Sequence, residues 1–209
     1  MARATNSLLE DHNLILRMLK ILNREINLLE KGADVSFEIF NKTIDFINFY
    51  ADKYHHGKEE NILFKLMKER GYSVDNGIIK LLTKEHKLAR NYIFKFEEAV
   101  NRFNQGDETS RSDIIENARK FSLLLSHHIH KENEIFYKMV DQTLTLDDQN
   151  FLLQAFKKMR TELGSDVHYK YNEMIEEMER KINHLRQNNI LSEKPKKIAV
   201  NQVIFEMQS

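Results

Sequence analysis

Pro195 is the only proline in a chain of 209 residues. Proline removes a backbone donor and clashes with the preceding helical turn, so its near absence leaves most of the chain free to run as long helices. Apolar residues recur at the three-to-four spacing of amphipathic helices throughout. Leu16, Leu19, Leu22, Ile26 and Leu29 mark a first helix. It opens at Ser7, which with Glu10 has the spacing of a capping box, and stops at Gly32. The second opens at Ser36, with Val35 and Phe40 placed as a hydrophobic staple, and stops at Gly71. A third runs from Asp75 to Gln105, ahead of Gly106, and a fourth from near Ser110 to Asp141. Long helices joined by short connections pack as antiparallel neighbours. The pattern therefore predicts an all-α fold, an up-down-up-down four-helix bundle over residues 1–141 with an additional C-terminal helix.

That extension, residues 142–188, begins after Thr145-Leu146-Asp147-Asp148, and Gly164 is expected to kink or break it. Its apolar stripe includes Leu152, Phe156, Val167, Ile175 and Met178. The stripe is expected to cover the bundle, with a homodimer seam as the alternative. The chain is thus expected to be a monomer or a homodimer through this helix. Residues 189–209 form a tail, read as either an extended docking segment or disorder.

Composition removes several classes of function. With no cysteine, disulfides, thiolate metal sites, iron–sulfur ligation and thiol catalysis are excluded. Lys+Arg and Asp+Glu balance at 32 each, which leaves no general electrostatic footprint for nucleic acid or an anionic membrane. No segment has the apolar length that spans a bilayer, and the N-terminus lacks the pattern of a signal peptide. A soluble cytoplasmic protein is expected.

The second half of the bundle repeats the first. Asp11-His12 recurs as Glu85-His86, and HHGKEENILF, from His55, recurs as HIHKENEIFY, from His128. This register pairs His55 with His128, Glu59 with Glu132, Ile62 with Ile135 and Phe64 with Tyr137. A competing register pairs His56 with His130 and Glu60 with Glu134 but misaligns the apolar residues. Residues three and four apart share a helix face. His128 and Glu132 lie with Leu124, Leu125 and Phe136, whereas His130 lies with Ser126, Asn133 and Glu134. On this ground His55, Glu59, His128 and Glu132 face the core, with His12 and His86 on the apolar stripes of their own helices.

Isolated carboxylates are very costly to bury unless paired or bound to a metal. Two inward glutamates beside four inward histidines, with no inward lysine or arginine, call for a cation. Imidazole and carboxylate together suit iron, manganese or zinc, and bundle cores are established places for dinuclear carboxylate sites. Four imidazoles, two bridging glutamates and one bridging oxygen fill about ten of the twelve positions of two octahedra, leaving about two for a small molecule. Elsewhere, His56, His127 and His130 are expected at the surface or rim, with support of the metal ligands or proton handling as the alternative, and His168 and His184 are expected at the surface. Tyr54 and Tyr137 are expected to be core aromatics, with lining of the site as the alternative, and Lys58 and Lys131 to be solvated.

The joint pattern His12, His55-x-x-x-Glu59, His86, His128-x-x-x-Glu132 resembles the hemerythrin-like HHE cation-binding domains over roughly residues 5–141. The resemblance implies a four-helix bundle around a non-haem di-iron centre. The six residues would be its metal ligands, in the four-histidine, two-glutamate branch similar to di-iron proteins of iron–sulfur cluster repair. Two iron ions, oxo- or hydroxo-bridged, are the expected cofactor, ahead of manganese or zinc. Oxygen-carrying hemerythrins have a fifth histidine one turn after the third-helix ligand, where this chain has Arg90. That departure is expected to leave the site more open. No cysteine is available to match the cysteine-bearing N-terminal domain of many repair proteins. The expected partner is a small diatomic, O2 or NO, or peroxide. The expected role is binding for sensing, storage or stress scavenging, with di-iron enzymology, iron donation and a purely structural bundle as alternatives.

Overall fold

The computed structural model describes residues 3–33 and 35–192, with side chains described as far as His184. Six helices follow in order: α1 (Thr5–Glu30), α2 (residues 37–69), α3 (Gly77–Asn104), α4 (residues 111–143), α5 (Leu146–Leu163) and α6 (Val167–Ser192). No strand is present among the described residues. Helices α1 to α4 pack each against the next and α4 returns to α1, which closes the expected up-down-up-down bundle. Gly32, Gly71 and Gly106 end α1, α2 and α3 with φ of 75°, 90° and 95°. In each case the next residue's N–H reaches back to the last turn: Ala33 to Leu28, Tyr72 to Met67, Asp107 to Arg102.

The start of α1 differs from expectation. Ser7 lies inside the helix, its hydroxyl donates to the Ala4 carbonyl at 3.0 Å, and no side-chain cap forms. Burial of Ala4 and Leu8 extends the helix backwards, and the extension supplies the acceptor: Ala4 N donates to Gln149 Oε1 at 2.8 Å.

Long stretches of α2 and α4 are π-helical. Phe46–His56 and Glu59–Leu63 in α2, and Glu132–Phe136 in α4, carry the wider i→i+5 hydrogen bonding that favours functional sites. In both halves such a turn begins at the glutamate of the His-x-x-x-Glu pair.

The extension packs on the bundle. Thr145 and Asp148 form a reciprocal capping box at the start of α5, and Asp148 also accepts from Arg70 at the end of α2. Gly164, with φ of 124°, breaks the extension into α5 and α6. Leu152 and Phe156 join one apolar cluster, and Val167, Tyr171, Ile175 and Met178 the other. Arg17 of α1 makes a bidentate pair with Glu179 of α6 at 3.1 and 2.7 Å. The tail holding Pro195 lies outside the described residues, which end at 192. No described helix is long and apolar enough to cross a membrane.

The two clusters sit at opposite ends of the bundle. One contains Leu8, Leu63, Phe64, Leu82 and Phe136; the other contains Ile15, Tyr54, Ala89, Ile93 and Leu125. The inward histidines and glutamates fall between these two sets along every helix, so the polar band is sealed by apolar residues above and below.

Candidate metal centre

Each bundle helix brings its predicted residue to this band. His12 comes from α1, His55 and Glu59 from α2, His86 from α3, and His128 and Glu132 from α4; none is more than 1 % exposed. His12 Nε2 lies 2.9 Å from His55 Nε2, and His86 Nε2 lies 2.9 Å from His128 Nε2. Glu132 reaches both pairs, at 3.2 Å from His12 and 3.1 Å from His128. Glu59 does the same from the other side, at 3.7 Å from His55 and 3.5 Å from His86.

The outer nitrogens explain why the inner ones require a cation. Nδ1 of His12 donates to Asn133 Oδ1 at 2.6 Å, that of His55 to Asp11 at 3.2 Å, that of His86 to Glu60 at 2.6 Å, and that of His128 to Glu85 at 2.9 Å. A neutral imidazole has one N–H, so each of these bonds leaves Nε2 as a bare lone pair. Two lone pairs 2.9 Å apart do not bond to each other. Glu59 Oε2 and both oxygens of Glu132 are buried without any hydrogen-bond partner. Apart from the Tyr137 hydroxyl, which bonds Glu59 Oε1, the side chains around this space present acceptors to one another, as the donor set of a bound cation does. The Nδ1-to-acceptor bond is also the usual device that fixes the orientation of a metal-binding histidine. His12, His55, Glu59 and Glu132 place one ligand atom each within 4.8 Å of one another. A second group, His56, Glu59, His86 and His128, meets the same limit and shares Glu59 with the first.

Comparison with protein-family models matches residues 3–140 to the hemerythrin HHE cation-binding domain. The chain belongs to the hemerythrin family. Comparisons with curated proteins and with solved structures returned no match. Family and buried donor set together make this hemerythrin a metal-binding protein.

The hemerythrin repeat extends beyond the six inward histidines and glutamates. Asp11 and Glu85, each preceding a lone histidine, take the Nδ1 of the paired histidine across the bundle. Lys58 and Lys131, each preceding a glutamate, bond those same carboxylates at 2.6 and 2.5 Å. Glu60 and Asn133, each following a glutamate, take the Nδ1 of the lone histidines. The sequence holds all of these as equivalent pairs in the two halves, but ranking residues by which face is apolar passes over them.

Four expectations for this hemerythrin are corrected. His56 is not at the surface: it is 4 % exposed, its ring stacks on His86 at 3.8 Å, and its Nδ1 donates to Asp52 at 3.0 Å. The π turns around it narrow the angle between neighbouring side chains, so His55 and His56 both face inward. Lys58 is not solvated: it is 2 % exposed, paired with Asp11, with Nζ 4.0 Å from the Tyr54 ring centre. Tyr137 is more than a core aromatic, since its hydroxyl donates to Glu59 Oε1 at 2.7 Å and lies 3.3 Å from His12 Nε2. His168 of α6 bonds the Tyr50 hydroxyl at 2.5 Å, and Tyr50 donates to Asp11 at 2.9 Å, which links the extension to His55. His127, His130 and His184 are exposed as expected.

In the absence of a cation, protons compensate the charges. Burial and repulsion from Glu132 push Glu59 well above the usual carboxylate range. Burial would also raise Glu132, but His128, His12 and His86 hold it well below that range. Burial alone would lower His128, and the Glu132 and Glu85 carboxylates override it, raising His128 to about 9. Burial and the neighbouring His12 lower His55 to about 4. A divalent cation would displace the protons on Glu59 and His128 and find His55 already neutral.

Proposed function

We propose that this hemerythrin holds two iron ions and binds a small diatomic, O2 or NO, for sensing, storage or stress scavenging. The carrying observation is the pair of ligand groups that share Glu59, every member at most 4 % exposed. Nitrogen and oxygen donors without sulfur suit iron in this setting. Iron supplies a reversible change of oxidation state and affinity for diatomic gases. The burial limits size: with apolar residues sealing both ends, the space between the ligand groups excludes a large substrate. Asp11, Glu60, Glu85 and Asn133 hold the imidazoles in place before any ligand arrives. The test is a spectrum of the reduced, iron-loaded protein before and after each gas. A reversible change with O2 or NO is expected; no change with either overturns the reading.

A second reading, an enzyme acting on peroxide or NO, is favoured by one observation. Tyr137 places an O–H inside the site against Glu59 and His12, a proton source within reach of a reacting molecule. Turnover above that of free iron, lost in Tyr137→Phe while two irons are retained, supports it. Turnover equal to free iron removes it.

A further inference from the structure

We propose that Tyr50 is a redox-active tyrosine, which gives an electron to the iron centre through Asp11 and His55 and its proton to His168. The inference rests on the iron reading above and concerns residues outside the donor set. Tyr50 is wholly buried where α1, α2 and α6 meet. Its hydroxyl has one hydrogen and two acceptors, Asp11 Oδ1 at 2.9 Å and His168 Nδ1 at 2.5 Å. The other oxygen of Asp11 takes Nδ1 of His55 at 3.2 Å, so a hydrogen-bonded route joins the phenol to a metal-site imidazole. The His168 side chain is 43 % exposed, so a proton placed on it is in contact with water. Burial and the Asp11 carboxylate hold the Tyr50 hydroxyl far above the usual phenol range, so an electron leaves this ring only together with the proton. That coupled loss requires a base at hydrogen-bond distance, which is the place His168 occupies.

The neighbouring tyrosines each lack one part of this arrangement. The Tyr137 hydroxyl bonds Glu59 and lies against His12, both members of the donor set and both at most 1 % exposed, so its proton has no exit to water. Tyr54 has its ring centre 5.4 Å from that of Tyr50 and lies under the Lys58 ammonium at 4.0 Å. A positive charge on a ring face opposes loss of an electron from it. Tyr171 is one ring further out, its ring centre 5.5 Å from that of Tyr50, and it donates to the exposed Asp45 rather than to Asp11. The internal repeat does not call for Tyr50 either: its counterpart in α4 is Leu123, apolar and exposed. Tyr50 stands on the side where α6 adds an imidazole. The oxidant is of the peroxide class. The O–H bond of Tyr50 breaks, its electron passes to the iron centre, its proton forms the second N–H of His168, and a neutral tyrosyl radical remains. A soluble one-electron reductant, ascorbate in the test below, restores the phenol as His168 returns the proton. Two such passages give two waters from one H2O2 and dehydroascorbate from one ascorbate, which balances electrons and protons.

The test loads the full-length protein with ferrous iron without oxygen, mixes it with excess hydrogen peroxide, freezes samples at increasing times and reads them by EPR. Wild type should show a tyrosyl radical, identified by the narrowing of its signal in protein grown on ring-deuterated tyrosine and discharged by ascorbate. Tyr50→Phe should abolish the signal with iron content unchanged. His168→Ala should lower the radical yield by about tenfold or more, and added imidazole should restore it, since the position is open to solvent. A role for Tyr50 and His168 in packing alone predicts neither the radical nor the rescue. Iron content and circular dichroism are read on every sample, and if Tyr50→Phe does not fold, His168→Ala with and without imidazole decides. Iron-loaded wild type without a tyrosyl radical, or with one that survives in folded Tyr50→Phe, overturns the inference and leaves the iron reading intact. Wild type that takes up no iron overturns both.

Discussion

At the scale of single residues, Lys58 and Lys131 test how far the repeat is a repeat in energy. Each bonds the carboxylate that orients a metal-site histidine. Lys58 and Asp11 are both 2 % exposed, while the Lys131 side chain is 26 % exposed. Removing one member of a buried pair leaves an uncompensated charge and costs about 3 kcal/mol or more. An exposed pair contributes under about 1 kcal/mol. Lys58→Met should therefore lower the unfolding free energy by about 3 kcal/mol and Lys131→Met by less than about 1 kcal/mol, measured by denaturant melts. Equal losses would show that the burial difference is irrelevant. The same residues show where reading the sequence stops. His12, His55, Glu59, His86, His128 and Glu132 were legible as inward residues because the same pattern recurs in the same order in both halves of the bundle. Lys58 was not, because a lysine is ordinarily solvated, and Tyr137 was legible only as a choice between core packing and lining of the site. Only the partner across the bundle decides.

At the scale of elements, the helix stops and the closing order of the bundle followed from periodicity and glycine positions. The π turns did not, and His56 is what they conceal. At 3.6 residues per turn adjacent side chains diverge by about 100°, which turns His56 away from the core once His55 faces it. Gly57, one residue later, has ordinary helical angles, φ −60° and ψ −40°, and a Cβ there would meet Met159 of α5 at 3.6 Å. Gly57→Ala should stabilise the protein by about 0.5–1 kcal/mol with metal binding unchanged. Gly164 is the opposite case. Its φ of 124° disfavours any side chain, and a Cβ would stand 3.2 Å from Val167. Gly164→Ala should destabilise by more than about 1 kcal/mol, and a thermal melt separates the two signs. A destabilising Gly57→Ala would mean that the π turns need glycine for a reason the local geometry does not show.

At the scale of the whole molecule, cation binding is coupled to protons and to stability. In the metal-free protein His128 keeps its proton up to about pH 9, and Glu59 holds one well above the usual carboxylate range. Both must leave before cations enter, so affinity should rise with pH between about 6 and 9 and level off above, with proton release on loading in weakly buffered solution. Affinity that is flat across that range would contradict the assignment of His128 and Glu59. Loading should also stabilise the fold, by about 2.7 kcal/mol for each site when free cation is about a hundredfold above its dissociation constant. The extension shares in this coupling through His168, Tyr50 and Asp11, which connect α6 to His55.

The most direct test of the account is the metal content of protein purified without oxygen, read with its absorption spectrum before and after exposure to air. The account predicts two irons per chain, new absorption bands on oxidation, and loss of both in His55→Ala and Glu132→Ala. One metal per chain, zinc alone, or none after reconstitution with ferrous iron would contradict it.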